Sequence, residues 1–298
     1  MRPQLKIARF ILTMITGVSG IFLNSAIVAL NLRFRRDTTT SGNYKKILIS
    51  IGLINILFQG SLIFDSICET FDYYLLNEDL LLFLLAFEMT FINVNVWNTT
   101  WLSMFCFVRL VNSKHRVLLW IKTKFIAFLR YILAGSVLVS ATFHFQLPWT
   151  TMLQSYQNTT EYQNLSGKRI IFHQYYVIFC ILIGFILPFC VTCVSIGFSV
   201  TTLVRHIWRI GSSDSSLSSD QLQGHYQAVR TMVIRALLDL SFFVVSVLSL
   251  SDSVVINSPV LSFLWMIILL YPTSQALLLI LGNPKLKSAV YGLIKTLI

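Results

Sequence analysis

At 298 residues the chain is long enough for one or two soluble domains, yet 55% of it is hydrophobic and only 12% charged, where a soluble domain carries roughly 25% charged residues. A soluble fold of this size cannot bury so much apolar surface, which excludes a soluble enzyme, a disordered chain and a secreted disulfide scaffold. The net charge of +11 comes from 23 Lys and Arg against 12 Asp and Glu, and in so apolar a chain it marks loops facing a cytoplasmic leaflet, not a nucleic-acid partner.

A bilayer core of about 30 Å takes about 20 apolar residues in a helix. Seven such windows occur, at about 7–30, 47–69, 80–108, 125–147, 172–204, 231–250 and 260–281. They are continuous and do not alternate every second residue, so the fold class is an all-α membrane protein, a seven-helix bundle and not a barrel, with 1–298 as one heptahelical domain. Sixteen Lys and Arg fall in loops on one side, and Arg2, Lys6, Arg9, Lys168 and Arg169 on the other. The positive-inside rule therefore puts the N-terminus outside and the C-terminus inside.

Span one is too long for a signal-peptide core and no small-residue cleavage site follows it, so it is expected to stay in the mature protein. Span two carries Asp65 and Glu69 one turn apart at its outer end. With Glu88, in the outer half of span three, they would form an acidic mouth that concentrates amines; ordinary solvated helix ends are the plain alternative for the first two. Glu88 shares a helical face with Phe91, Ile92 and Asn95, and Trp97 points the opposite way. If Trp97 packs on lipid or on span four, Glu88 faces the bundle, where a carboxylate needs a partner or a wet cavity. It either pairs with a cationic or hydrogen-bonding ligand or bonds to a neighbouring helix.

Between spans four and five, Asn158-Thr159-Thr160 and Asn164-Leu165-Ser166 are glycosylation sequons on the outer side. A third match at Asn98 lies mid-span, out of the transferase's reach. Gly211–Asp220 is a short Ser-rich connection between spans five and six. In span six, Arg235 and Asp239 are four apart and can satisfy each other as a structural pair, or act as a switch that breaks when the helix moves. Trp120, Trp149 and Trp208 sit near span ends as interfacial anchors. After span seven, Leu286, Val290, Leu293, Ile294 and Leu297 form one stripe of a short helix expected to lie in the inner interface. The five cysteines fall within spans, so no outer-loop disulfide is expected. No metal-ligand spacing and no nucleophile with a base are present, so neither catalysis nor a metal or other cofactor is expected.

The motifs resemble the type 2 (bitter) taste receptor family of G-protein-coupled receptors. Span three reads WNTTWLSMFCFVRLVN from Trp97 to Asn112, and span five has Pro188-Phe189 and SIGFSVTTLVRH ending at His206. Span six begins HYQAVRT at His225, and span seven reads YPTSQALLLILGNPKLK from Tyr271 to Lys287. The resemblance implies a plasma-membrane, multi-pass receptor whose agonists meet Met89, Asn93, Phe242 and Trp265. It further implies that Arg109, His206, His225 and Arg230 face a heterotrimeric, gustducin-like G protein. Inner cations also suit anionic lipid. The chain departs from the family at Asn55, where an arginine is usual, at Gln275-Ala276 in place of His-Ser, and at Asp239 in place of tyrosine. These departures weigh against the family's hydrogen-bond lock between spans one, two and seven, although Asn24 and Asn55 can still pair through their amides for about 1 kcal/mol. Another chemosensory class such as a pheromone receptor is the first alternative. A transporter is the second, disfavoured by the odd span count and by spans without paired Gly or Pro breaks.

Overall fold

The computed structural model describes residues 3–33, 41–71, 78–110, 116–157, 166–211, 219–249 and 259–297. Seven helices among them are long and apolar enough to cross a membrane. Spans one to four are α1 (Pro3–Arg33), α2 (Ser41–Thr70), α3 (Glu78–Leu110) and α4 (Arg116–His144), and the short α5 (Leu147–Thr150) follows. Span five is continuous through α6 (Gln174–Phe179), a π-helical stretch (Cys180–Ile186) and α7 (Leu187–Gly211). Spans six and seven are α8 (Ser219–Ser249) and α9 (Pro259–Leu281), before α10 (Pro284–Leu297). Most helices run a turn or more beyond the apolar windows, because the backbone ladder continues into polar flanks after the hydrocarbon requirement ends.

The outer loop contains an element that the span search could not reveal. Strands β1 (Met152–Gln157) and β2 (Ser166–Ile171) pair antiparallel, Met152 opposite Ile171 and Gln157 opposite Ser166. A window tuned to long apolar runs has no sensitivity to two six-residue strands in a polar loop. Asn158 and Asn164 lie outside the described residues.

Helices α1, α2, α3, α7, α8 and α9 touch in a ring, and α4 packs on the outside of α3. The closest pair is α1 with α2, where glycines let backbones approach. A Cβ on Gly17 would stand 2.7 Å from Ile63 and one on Gly52 2.6 Å from Val28. Large apolar side chains such as Val18, Leu57, Leu138, Phe198, Leu237 and Phe263 point outward, whereas Asn24, Asn55, Asn95, Thr100 and Gln275 are buried. This inside-out arrangement suits a hydrocarbon solvent, in which amides and hydroxyls find partners only within the bundle. The core forms two apolar layers. An inner one surrounds Ile27, Ile51, Leu102, Phe105 and Leu129, and an outer one surrounds Phe58, Met89, Ile92, Tyr176 and Phe242.

In span five the π-helical stretch ends just before Pro188, which has no N–H for the ladder, and the widened turn marks the irregularity. Its Gly184 faces Asn93, whose Nδ2 would lie 2.6 Å from any Cβ there. At the other end of the bundle the Asn283 carbonyl accepts from the Lys287 amide at 2.9 Å, opening α10 with Pro284 in its first turn. Leu286 and Val290 of the expected stripe are buried in the inner layer.

Candidate functional site

The outer ends of spans one, two and three bring four charged side chains together, and span seven adds an indole. Asp65 and Glu69, one turn apart on α2, both face Arg9 of α1. Arg9 Nη1 lies 2.9 Å from Glu69 Oε2 and donates to Oε1 at 3.0 Å; Nη2 is 3.6 Å from Asp65 Oδ2. The guanidinium also stands over the Trp265 ring, 5.9 Å from its centroid. The mouth is thus not purely acidic, for Arg9, grouped by sequence with the outer cations, is seated on two of its carboxylates. Arg9 sits two residues inside the first apolar window, and that misplaced charge was the signal available for its role.

Glu88 completes the cluster. It is only 2% exposed and its Oε1 has no hydrogen-bond partner among the described residues. Asp65, Arg9 and Glu69 are the charged groups that act on it electrostatically. Its face is the interior one, since Ile92 and Asn95 are buried with it. Of the two surroundings left open for Trp97, lipid or span four, the structure places its side of α3 against α4: Trp97 stacks on Trp101 at 5.2 Å, and the Trp101 indole donates to Ser136 at 2.9 Å.

The remaining predicted contacts spread around this cluster. Met89 is buried in the outer apolar layer, and Asn93 turns towards spans four and five, where its Oδ1 accepts from Ser140 Oγ at 2.9 Å. Phe242 lies deeper, 2% exposed and stacked 3.8 Å from Tyr271. Trp265 is half-buried beneath Arg9. Sequence reasoning missed a second polar contact at the outer end, where His144 Nδ1 and the Tyr176 hydroxyl are 2.8 Å apart beside Phe143.

Below the cluster a chain of buried hydrogen bonds crosses the bundle between the two apolar layers. Asn55 Nδ2 donates to Asn24 Oδ1 at 3.0 Å and to Gln275 Oε1 at 2.8 Å, and Asn55 Oδ1 accepts from the Asn95 amide. Gln275 Nε2 donates to Thr99 Oγ1 at 2.9 Å, and the Tyr271 hydroxyl donates to Asp239 Oδ1 at 3.0 Å. Asp239 in turn stands 3.8 Å from Arg235 Nε, the i,i+4 ion pair expected from sequence. The lock between spans one, two and seven is therefore present. Gln275 supplies the acceptor that the expected loss had discounted, because an amide in the histidine position still reaches Asn55.

Arg235 also lines a cavity of about 150 Å³ at the inner end, with Tyr44, Ser103, Cys106, Gln275 and Gly282. On the inner face Arg109 and Arg230 are exposed. His206 and His225 lie on α7 and α8, with side chains outside what is described. Trp120, Trp149 and Trp208 are exposed, and Asn98 is buried and accepts from Ser50 at 3.2 Å, consistent with its rejection as a sequon.

The sequence profile described as Taste receptor protein (TAS2R) matches residues 1–297. The chain belongs to this family. Taste receptor type 2 member 8 of Pongo pygmaeus is 26% identical over 93% of this chain and 92% of its own length. Member 40 of Gallus gallus is 24% identical over 95% and 93%, and member 39 of Homo sapiens 23% identical over 95% and 87%. The protein is thus a bitter-taste-type G-protein-coupled receptor, a multi-pass membrane protein that takes small-molecule ligands and couples to a G protein. It is not an enzyme, and neither a pheromone receptor nor a transporter is favoured. Within the receptor, the buried polar chain reaches the inner cavity through Gln275 and Arg235, which both line it.

Proposed function

We propose that the receptor binds small molecules, cationic ones among them, in the outer half of the bundle, with Glu88 as the carboxylate that meets the ligand's cation or donor. The observation that carries this reading is the buried Glu88 Oε1, which has no hydrogen-bond partner among the described residues, a group that costs free energy until something donates to it. Met89, Asn93, Phe242 and Trp265 form or underlie the walls, and Asp65 and Glu69 border the entrance with Arg9. Apolar walls with few polar groups fit small, varied ligands. Binding biases the polar chain that ends at Asp239 and Arg235. The inner face, with Arg109, His206, His225 and Arg230, then engages a gustducin-like heterotrimeric G protein against an anionic leaflet of the plasma membrane. Asn158 and Asn164 are the proposed glycosylation sites.

An agonist screen with a calcium readout, repeated on Glu88→Gln, tests the site. A charged hydrogen bond contributes about 1.5–3 kcal/mol, so cationic agonists should weaken about ten- to a hundredfold while neutral ones hold. Equal losses for both kinds would remove Glu88 from ligand recognition. Glycosidase treatment should lower the apparent mass of the wild type on a gel, and Asn158→Gln and Asn164→Gln should each remove part of that shift; no shift in the wild type rules both sites out.

A further inference from the structure

Span four carries a cation on its lipid face, inside the apolar window. Arg130 is exposed together with Trp120, Lys124, Phe128 and Tyr131, whereas Phe125, Leu129 and Leu133 of the same helix are buried against the bundle. Trp120 marks headgroup depth, as interfacial indoles do. Arg130 lies about 15 Å further along the axis at 1.5 Å per residue, so its backbone is below the headgroups. Helix α4 contains no Asp or Glu, and among the described residues Arg130 meets no carboxylate. Its Nη2 donates to the Tyr131 hydroxyl at 2.7 Å, and the guanidinium stands 4.6 Å from the centroid of that ring. The further N–H donors of the guanidinium face hydrocarbon, at a cost that an anion would offset.

Lys124 stands nearer the headgroups, with its ammonium 5.9 Å from the Phe128 ring centroid, and the Phe128 and Tyr131 rings are 6.2 Å apart. Two cations therefore flank one pair of rings. Helical side chains lean towards the N-terminus, which in α4 is the cation-rich side of the membrane, so Arg130 leans to the layer that Lys124 and Trp120 occupy.

We propose that this face of α4 is a site for one anionic phospholipid of the cation-rich leaflet, its phosphate held between Arg130 and Lys124 and its glycerol and upper acyl chain lying on Phe128 and Tyr131. Guanidinium–phosphate bonds are charge-assisted, and basic side chains at this depth attract anionic lipid. A carboxylate on a partner's membrane helix would answer Arg130 alone; the lipid is favoured because Lys124 and Trp120 continue the site into the layer where phosphate lies. The site is separate from the outer cluster and does not depend on the reading of Glu88.

The test uses the purified full-length receptor in phosphatidylcholine nanodiscs doped with phosphatidylglycerol that carries a diazirine high in one acyl chain, the labelled peptides being mapped by mass spectrometry. The same diazirine on phosphatidylcholine is the zwitterionic comparison. Phosphatidylglycerol should label α4 around Phe128 and Tyr131 at a lower mole fraction than phosphatidylcholine does. Arg130→Gln and Lys124→Gln should each raise the mole fraction for half-maximal labelling about fivefold, while labelling of the outward face of α7 at Phe198 holds. Excess glycerol 3-phosphate should displace nothing. Should Arg130→Gln fail to fold, Lys124→Gln decides the matter, because Lys124 is exposed. Equal labelling of α4 by the two lipids, no change in a folded variant, or an equal fall at Phe198 overturns the proposal. Displacement by glycerol 3-phosphate would make this a site for soluble phosphate and overturns it too. Loss of surface delivery in Arg130→Gln with lipid labelling unchanged would assign Arg130 to a partner's membrane helix, and the lipid site would fall.

Discussion

Replacing Asn55 with Leu, which has similar volume, removes the central group of the buried polar chain. Asn55 is fully buried and makes three interhelical bonds, to Asn24 at 3.0 Å, to Gln275 at 2.8 Å and from Asn95. Such bonds average about 0.6 kcal/mol in membrane proteins, so three contribute about 2 kcal/mol. The change also strands Asn24 Oδ1, Gln275 Oε1 and the Asn95 amide inside the bundle, which at the low end of about 1 kcal/mol per group adds about 3 kcal/mol. A loss of about 5 kcal/mol at about 2 °C per kcal/mol lowers the unfolding midpoint by about 10 °C. Thermal unfolding of the detergent-solubilised receptor can be followed with a thiol-reactive dye on the buried cysteines Cys68 and Cys180, after Cys190 and Cys193, which are exposed, are replaced by Ala. Leu57→Ala on the outward face is the control, expected to shift the midpoint by about 1 °C. If Asn55→Leu falls no further than this control, the chain of amides does not hold spans one, two, three and seven together.

A Cβ on Gly20 would overlap Gln59 Nε2 and Thr273 Oγ1, so Gly20→Ala must displace the pair of side chains that share a bond at 2.8 Å. It should destabilise by about 1–3 kcal/mol and lower surface expression by flow cytometry, whereas Gly60→Ala, with open space around it, should not. Asp239→Ala leaves Arg235 buried without its ion-pair partner, at a cost of about 3–5 kcal/mol. Its unfolding midpoint should drop, and the double variant with Arg235→Leu should recover most of the loss. Tyr176→Phe removes the hydroxyl that faces His144 Nδ1 at 2.8 Å; the unpaired imidazole should lower the midpoint by an amount equivalent to about 1–3 kcal/mol.

The solvent around the chain explains which features were legible in one dimension. Seven spans, their order and the burial of the Glu88 face follow from length, hydropathy and a 100° turn per residue, because a bilayer imposes those quantities on each helix separately. The Arg235–Asp239 pair was legible for the same reason, since four residues on one helix fix their own proximity. Contacts between helices were not. Arg9 meets Glu69 across sixty residues and Asn55 meets Gln275 across 220, and nothing in either segment states the depth and rotation at which the helices pack. Substitution of a histidine by Gln275 read as a loss, yet packing brought the amide within reach of Asn55.

The amino-acid sequence by itself determined a seven-helix membrane bundle with the motifs of a receptor family, and Glu88 as an acid within a span. Only the tertiary structure decided that Arg9 meets Asp65 and Glu69, that the amides form one chain to Asp239, and that β1 and β2 pair in the outer loop. The physical reason is that hydropathy is a sum over neighbours in sequence, whereas charge compensation and hydrogen bonding depend on distances of a few ångströms between helices that packing alone sets.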